Sequence, residues 1–385
     1  MPQIVNTNVI SLNAQRNLNM SQAEQASAIQ RLSSGLRINS SKDDAAGLAI
    51  SERFNTQIRG LNMAARNAQD AISLSQTAEG ALASVTSNLQ RMRELAVQSA
   101  NGTNTSSERD SLQLEFAQLR SEIDRIASQT SFAGKKLLDG SFSNVAFQIG
   151  SNAGETLTIS SLANANSSAL GTYTSAQTSS AAATDLTAIT AGDITIDGPN
   201  SASAVSIGAI AAATSAADRA GQLRDAINLV SSQTGVYAVN DTNTTISLRS
   251  TGTITLTTAG TGTLARTGFA LGTTTATATT STGFASSSIS TDAGATNAIN
   301  AMDGALSAVA SARATLGAVQ TRFEALVSNL NTNAENLTAS RSRVVDADFA
   351  QETARLTRTQ ILQQAGTAML AQANALPNNV LSLLR

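Results

Sequence analysis

The side chains that most often carry out chemistry in proteins are scarce in this sequence. Among its 385 residues there is no His and no Cys. Metal sites built on imidazole or thiolate ligands are therefore excluded, as are Cys nucleophiles and Ser-His triads. Carboxylates or lysine could still act as catalysts, but Lys42, Lys135 and Lys136 lie in no recognisable motif. The residues indicate a protein that is not an enzyme and has no catalytic site, metal or cofactor.

Charge and hydropathy exclude two further kinds of partner. The net charge is −2 and the arginines are scattered, so no basic surface for nucleic acid is indicated. No apolar run approaches the length that a membrane span needs, which predicts no membrane insertion. Residues 1–8 lack the charged and apolar regions of a cleaved signal peptide. This pattern does not exclude export by a route that needs no such signal.

Three long apolar patterns of the kind found in coiled coils dominate the sequence instead. A helix with one apolar seam cannot bury it alone, so seams that lie far apart in the chain must pack together and bring its two ends into one bundle. The first seam comprises Leu61, Ala64, Ala68, Ala71, Ser75, Ala78, Leu82, Val85, Leu89, Met92 and Ala96. The second comprises Leu112, Phe116, Leu119, Ile123 and Ile126. The third comprises Met302, Ala305, Val309, Ala312, Leu316, Val319, Phe323, Leu326, Leu330 and Leu337.

Start and stop signals divide the N-terminal part into helices. A weakly amphipathic helix over residues 1–35 should end at Gly35, and the Ser and Asp residues of 40–44 resemble doubled capping boxes that begin a long helix. That helix should end at Ser99 and, at ~1.5 Å per residue, would make the molecule a rod. Ser107, with Asp110 three residues on, predicts the start of a second helix.

Strand patterns follow these helices. Residues 145–150 and 156–160 predict a β-hairpin. From about 176 to 288 the composition changes to Ser, Thr, Ala and Gly, which could be a low-complexity linker. However, helical spacing over 215–232 and alternating runs around Ile194, Val236 and Ile254 favour a small α+β domain there.

Two helices are predicted at the C-terminal end. The first occupies about 293–340, although Gly304 and Gly317 each cost it ~1 kcal/mol relative to Ala. The second follows over 345–385, and Pro377 should kink or interrupt it. The fold class is therefore mainly α: an elongated heptad-helix coiled-coil bundle formed from both chain ends, with a β-hairpin region and a small central α+β, β-rich inserted domain.

Several runs at the two ends closely resemble bacterial flagellin. They span roughly residues 1–170 and 290–385, and the central segment is similar to the small inserted motif of some flagellins and hook-associated proteins. The matching runs are Asn6-Thr7-Asn8, Arg31-Leu32-Ser33-Ser34-Gly35-Leu36-Arg37-Ile38-Asn39, Lys42-Asp43-Asp44-Ala45-Ala46-Gly47, residues 89–101, Ser340-Arg341-Ser342-Arg343, Asp346-Ala347-Asp348-Phe349 and residues 379–385.

The resemblance implies a structural subunit that polymerises into the bacterial flagellar filament for swimming motility. In such proteins the terminal helices fold into a nested coiled-coil core on assembly, here 1–42 and 345–385. A rod-like bundle over 43–175 and 289–344 would form the outer tube, and a surface-exposed domain over 176–288 would project outward. The implied location is extracellular, in the filament. The implied partners are other copies, the flagellar export apparatus, a cytoplasmic chaperone on the C-terminal segment, the filament cap and hook-associated proteins.

Two groups of site residues follow. The terminal helices carry more apolar residues than a lone helix pair would bury, which favours packing between subunits. The residues predicted for this filament core are Val9, Leu12, Leu18, Ile29, Leu32, Phe349, Leu356, Leu362, Met369, Leu376 and Leu383. By resemblance, Arg91, Leu95 and Glu115 match positions that contact the vertebrate innate immune receptor for flagellin, although they could also be an ordinary solvated face.

Two alternatives stay open at this point. A hook-filament junction protein shares the same design but would not grow indefinitely. The Ser and Thr residues of the central segment fit either solubility and strand propensity or O-glycosylation, and no usable motif chooses between them.

Overall fold

The computed structural model describes residues 7–382, with side chains described up to residue 375. The chain is mainly helical with β-structure in the middle, as the sequence predicts. The helices are α1 (Val9–Ser34), α2 (Ala45–Ser99), α3 (Ser106–Gln129), α4 (Ala216–Leu229), α5 (Ser231–Thr234), α6 (Leu264–Thr267), α7 (Asp292–Val345) and α8 (Phe349–Ser382). The strands are β1 (Ser131–Phe132), β2 (Lys135–Lys136), β3 (Ser143–Gln148), β4 (Thr156–Ser161), β5 (Thr172–Ser179), β6 (Ile194–Asp197), β7 (Val205–Ser206), β8 (Val236–Asn240), β9 (Ile246–Ser250), β10 (Ile254–Thr258), β11 (Gly272–Ala276) and β12 (Thr279–Thr282).

Two compact units make up the structure. One contains the chain up to Ala68, the segment Gln148–Thr156 and the chain from Ala325 onward. The other contains Gln69–Phe147 and Leu157–Glu324. The division of the sequence into three functional segments remains a prediction about the assembled state.

The larger unit is built on the predicted seams. Every seam position of α2 from Ala71 to Ala96 is buried, as are Phe116 and Ile123 of α3. Two polar contacts show that α7 runs antiparallel to α2. Arg93 Nε lies 2.6 Å from Asp303 Oδ1, and Gln320 Nε2 donates to Glu79 Oε2 at 2.9 Å. Segments far apart in the chain therefore share one bundle, as the heptads require.

The caps of the long helices differ in detail from those predicted. Helix α3 begins with a capping box between Thr105 and Glu108, two residues before the predicted Ser107. The Thr105 hydroxyl accepts from Glu108 N, and the Glu108 carboxylate accepts from Thr105 N, which lowers the pKa of that carboxyl. Helix α2 is capped by Asp44, whose Oδ1 accepts from Gly47 N at 2.8 Å. The expected Ser caps were wrong because Asp44 supplies the acceptor for α2, while Asp43 Oδ2 accepts from Ser40 N at 3.0 Å in the turn before the helix.

The predicted inserted domain is present in the same unit as the bundle. Its two four-stranded sheets have the strand orders β11-β10-β6-β7 and β12-β5-β9-β8, and α4 supplies Leu223 and Ile227 to their shared core. The predicted hairpin is also present, because β3 and β4 pair with each other. After β10, the same domain continues with α6, β11 and β12.

The smaller unit joins the two ends of the chain. Ala64 and Ala65 of α2 pack against Leu330 of α7. Beyond these helices the two connecting segments form an antiparallel bridge. Arg37 N donates to Val345 O at 2.6 Å, and Ala347 N donates to Gly35 O at 2.9 Å. Because this bridge holds both connections together, the end of α1 lies beside the start of α8.

Two glycines within α7 have different environments. A Cβ on Gly304 would lie 2.5 Å from Thr172 O, where β5 crosses the helix, whereas nothing lies within 4 Å of a Cβ on Gly317. Gly171 lies on the other side of the same contact. Its φ is +77°, and a Cβ on it would lie 2.6 Å from Ala305 Cα. The Gly304 penalty is therefore offset by close packing, and nothing in the structure explains Gly317.

This contrast gives a matched pair of substitutions in one helix. Gly317→Ala should raise the free energy of unfolding by ~1 kcal/mol, since Ala is the better helix former. Gly304→Ala should lower it by about 1–3 kcal/mol, because the new methyl overpacks against Thr172. Denaturant unfolding followed by circular dichroism measures both, and equal effects from the two variants would contradict the packing explanation.

Candidate assembly surface

Helices α1 and α8 form an antiparallel pair in the smaller unit, with a seam of small or polar side chains. Ser21 Oγ donates to Thr359 O at 3.3 Å, and Ser11 Oγ donates to Asn374 Oδ1 at 2.7 Å. Ala28 and Ala373 are buried in the same helices. A Cβ on Gly366 would lie 3.2 Å from Leu18 Cδ1. The close approach of the helices thus depends on small residues and leaves little space for large apolar ones.

Asn8 has two roles at the open end of this pair. Its Oδ1 accepts from Ser11 N at 3.1 Å and so caps α1, while its Nδ2 donates to Ala373 O at 2.7 Å. Ala373 O is the carbonyl that residue 377 would normally bond in a helix, but Pro377 has no backbone N–H. Asn8 therefore satisfies a carbonyl that the proline leaves free.

The interruption predicted at Pro377 does not occur, since α8 continues to Ser382. A proline within a helix removes one main-chain hydrogen bond, and here that loss is compensated by a side chain from the other end of the chain. The sequence alone shows both residues but gives no sign that they meet.

A nearly buried ion pair lies near the other end of the helix pair. Arg31 Nη1 lies 3.3 Å from Glu352 Oε1, and Arg355 Nη1 lies 3.4 Å from the same oxygen. Glu352 is only 6 % exposed, so these partners offset the hydration that its carboxylate loses. Sequence reasoning missed Arg31 and Glu352 as a pair, because charged residues of two weakly amphipathic helices carry no signal of mutual contact.

Large apolar side chains of both helices lie outside the seam. Among the predicted filament-core residues, the exposed ones are Val9, Leu12, Ile29, Phe349, Leu362 and Met369, with Phe349 58 % and Met369 63 % exposed. Leu18, Leu32 and Leu356 are partly buried. The side chain of Leu376 and the whole of Leu383 lie outside the described residues. Three further exposed apolar residues were not predicted: Ile10, Met20 and Ile361.

The three residues proposed for receptor contact lie on α2 and α3 in the larger unit. Arg91 Nε lies 2.9 Å from Glu115 Oε1, and Arg91 Nη1 lies 3.1 Å from Glu94 Oε2, with all three side chains well exposed. These hydrogen bonds, the one to Glu115 foremost, raise the pKa of Arg91. Leu95, however, is 0 % exposed. The expectation that Leu95 shares the exposed face of Arg91 was wrong, because Leu95 continues the buried stripe of Leu89 and Met92.

The part of the chain that the structure describes has neither a candidate membrane span nor a candidate metal site. None of its helices combines the length and apolar character that crossing a membrane requires. Within the same residues, no cluster of three or more acidic side chains could hold a metal ion. The polar seam and the exposed apolar faces of α1 and α8 are thus the candidate site with the most distinctive geometry.

The structure pairs long helices from both chain ends through a polar seam and leaves large apolar residues outside it. This arrangement defines a class of self-assembling structural proteins. The family description "Bacterial flagellin N-terminal helical region" matches residues 5–143, and "Bacterial flagellin C-terminal helical region" matches residues 299–384. The flagellin hook IN motif matches residues 188–252, within the inserted domain.

Similar proteins cover the whole chain. B-type flagellin of Pseudomonas aeruginosa is 40 % identical and covers 100 % of both chains. Flagellin B of Vibrio anguillarum is 42 % identical over 99 % of each. Among solved structures, FliC of Burkholderia pseudomallei is 26 % identical with a TM-score of 0.39, and the match covers 66 % of this chain and 99 % of that one. The chain belongs to the bacterial flagellins, the structural subunits of the flagellar filament.

The double role of Asn8 can be separated by substitution. Asn8→Ala should increase hydrogen exchange of the amides in the first turns of α1, since it removes both the cap, worth ~1 kcal/mol, and the bond to Ala373 O. Asn8→Asp keeps the capping acceptor but loses the donor, so its exchange should be intermediate. Mass spectrometry of the full chain measures this. Asn13→Ala is the control, because within the described residues the Asn13 side chain hydrogen-bonds only to Arg16 of its own helix. An Asn8→Asp chain as protected as the parent would contradict the contact with α8.

Proposed function

We propose that this flagellin assembles through the outer faces of α1 and α8, which fold against neighbouring subunits to form an intersubunit coiled-coil core. The observation that carries the proposal is the exposure of large apolar residues on both helices while small and polar residues fill the seam between them. Exposed apolar residues that are grouped in this way are typical of interaction sites. The filament built in this way would serve as the propeller for swimming.

The energetics support repeated contacts of this kind. Fully burying one Leu, Ile, Phe or Met side chain contributes about 1.5–3 kcal/mol. Val9, Phe349 and Met369 each still expose more than half of their surface in the single chain. A few such side chains per contact, repeated in every subunit, would hold a polymer together. The same burial would stabilise the marginal pairing of α1 with α8.

The other segments would have different roles in the filament. We propose that 1–42 and 345–385 form the core, that 43–175 and 289–344 form the surrounding tube, and that 176–288 is exposed on the surface. The inserted sheets support this division, because they leave the bundle at two adjacent points: Gly283 N donates to Gly171 O at 2.9 Å. A domain attached in this way can be removed without separating the ends of the bundle.

The proposed export and partners follow from the same surface. The subunit would leave the cell through the flagellar export apparatus and be extracellular in the filament. Exposed apolar residues of α8, such as Leu362 and Met369, would need a cytoplasmic chaperone before export. The hook-associated proteins and the filament cap would bind the two ends of the filament through the same helices.

Deletions test the division of roles. Replacing Thr172–Thr282 by a short linker should leave polymerisation intact, since its ends join residues that are already hydrogen-bonded. Deleting residues 346–385 should abolish polymerisation while the larger unit stays folded. Sedimentation separates polymer from subunit, and circular dichroism verifies folding.

Two outcomes would contradict this division: a C-terminal deletion that still sediments as polymer, or an insert deletion that stays soluble although folded. The elongation of filament seeds by purified subunits distinguishes a filament subunit from a hook-filament junction protein. Copies of a junction protein would not continue to add to the growing seed.

A second function, recognition by the vertebrate innate immune receptor, is favoured by the exposed pair of Arg91 with Glu115. We propose that this pair forms the polar part of the contact and that Leu95 supports it from beneath. The recognition would be a consequence of exposure on the subunit rather than the purpose of the protein.

The receptor proposal predicts different effects for the three residues. Arg91→Ala and Glu115→Ala should each weaken receptor activation with little effect on thermal unfolding, since exposed ion pairs contribute little to stability. Leu95→Ala should lower the free energy of unfolding by about 2–5 kcal/mol, because it leaves a cavity. Receptor reporter assays and melting curves measure the two effects. If the Arg91 and Glu115 variants activated the receptor at every dose as the parent does, this role would be excluded.

A further inference from the structure

A charged cleft lies between α1 and α8. It has a volume of about 430 Å³, far more than the ~10–15 Å³ that one ordered water needs. Glu24 and Arg31 line it from α1, and Glu352, Arg355 and Arg358 line it from α8. We call this the arginine cleft. Both helices belong to the same compact unit.

The arginine cleft has too few acceptors for its donors. Glu352 Oε1 accepts from both Arg31 and Arg355, at 3.3 and 3.4 Å, longer than the ~2.7–2.9 Å of a strong charge-assisted hydrogen bond. Arg31 Nε is buried and has no partner in the described part of the chain. Arg358 also lines the cleft; it is exposed and makes no hydrogen bond or ion pair within the described residues. A buried donor without an acceptor is unfavourable, so an acceptor that reaches Arg31 Nε would stabilise the cleft.

The charges have the sign that an anion requires. Three guanidinium groups and two carboxylates line the cleft. The carboxylate of Glu352 already pairs with Arg31 and Arg355. Glu24 lines the cleft but makes no recorded contact within the described residues, and it is exposed. The planar donor fork of Arg matches two oxygens of a tetrahedral oxyanion at once, which Lys could not do.

We propose that the arginine cleft binds one tetrahedral oxyanion of the phosphate or sulfate class, held by Arg358 and Arg31 with Arg355. Both helices contribute donors, so the anion can bind only when α1 and α8 are paired. A ligand that binds only the paired state shifts the equilibrium toward it. The bound anion thus stabilises the pairing of the two chain ends, independently of contacts with other subunits.

Inorganic phosphate is the probe for this site. Phosphate is titrated calorimetrically into the full chain, once as subunits and once as sedimented polymer. Chloride is the balancing anion that keeps the ionic strength constant. One saturable site per chain is expected. Arg358→Gln should weaken binding at least tenfold, equivalent to 1.4 kcal/mol. Glu24→Gln should tighten binding, because it removes a like charge from the cleft.

Arg16→Gln is the matched control. Arg16 lies on α1 outside the cleft and contacts Asn13, so this variant changes net charge equally without removing a cleft donor. General salt effects on apolar burial act on both variants alike. An equal loss of affinity in the Arg16 and Arg358 variants would overturn the proposal, as would the absence of saturable binding in either preparation. Weaker binding in the Glu24 variant would also overturn it. Sedimentation is measured separately for every variant. An unsubstituted chain that forms polymer but binds no phosphate rejects only the cleft, whereas one that binds phosphate but forms no polymer rejects only the assembly proposal.

Discussion

The burial of one apolar seam between helices from opposite ends of the chain is the interaction on which the rest of this structure depends. Helix α7 runs antiparallel to α2, and the ion pair of Arg93 with Asp303 and the bond of Gln320 to Glu79 lie along this contact. Because the two helices are antiparallel, the chain enters α2 at the same end at which it leaves α7. The bridge of Arg37 with Val345 then places the end of α1 beside the start of α8. Contacts between the termini therefore follow from a seam elsewhere in the chain.

The helix pairs differ in what they bury, and the difference has a functional meaning. In the larger unit, Leu82, Leu89 and Phe323 are fully buried, so these large seam residues pack within one chain. The pair of α1 with α8 places Ala28, Ser21 and Ala373 inward and leaves its largest apolar residues outside. Such a pair is marginal alone, since small residues contribute little apolar burial. The contacts proposed with neighbouring subunits would supply the stability that the pair lacks.

Several irregular residues are explained only by close contacts at specific points. Gly304 breaks the helix preference of α7 where Thr172 crosses it, and the left-handed φ of Gly171 allows the same approach. Pro377 leaves Ala373 O without its helical partner, and Asn8 supplies one. In each case a local cost in one element is offset by a residue distant in the chain. Gly317 has no such partner, which shows that a glycine in a helix does not by itself indicate a contact.

The sequence by itself determined the helices, the seams and the family, because heptad spacing and capping residues act locally and several matching runs are specific. It also predicted the inserted α+β domain, the β-hairpin and most of the exposed apolar residues on the terminal helices. Only the tertiary structure decided which residues meet. It buried Leu95 beside Met92 although the helix surface around Arg91 is exposed. It joined Arg31 with Glu352 and placed three arginines around one cleft. The physical reason is that burial and ion pairing depend on the distance between elements and on their rotation about the helix axis, and spacing within one helix specifies neither.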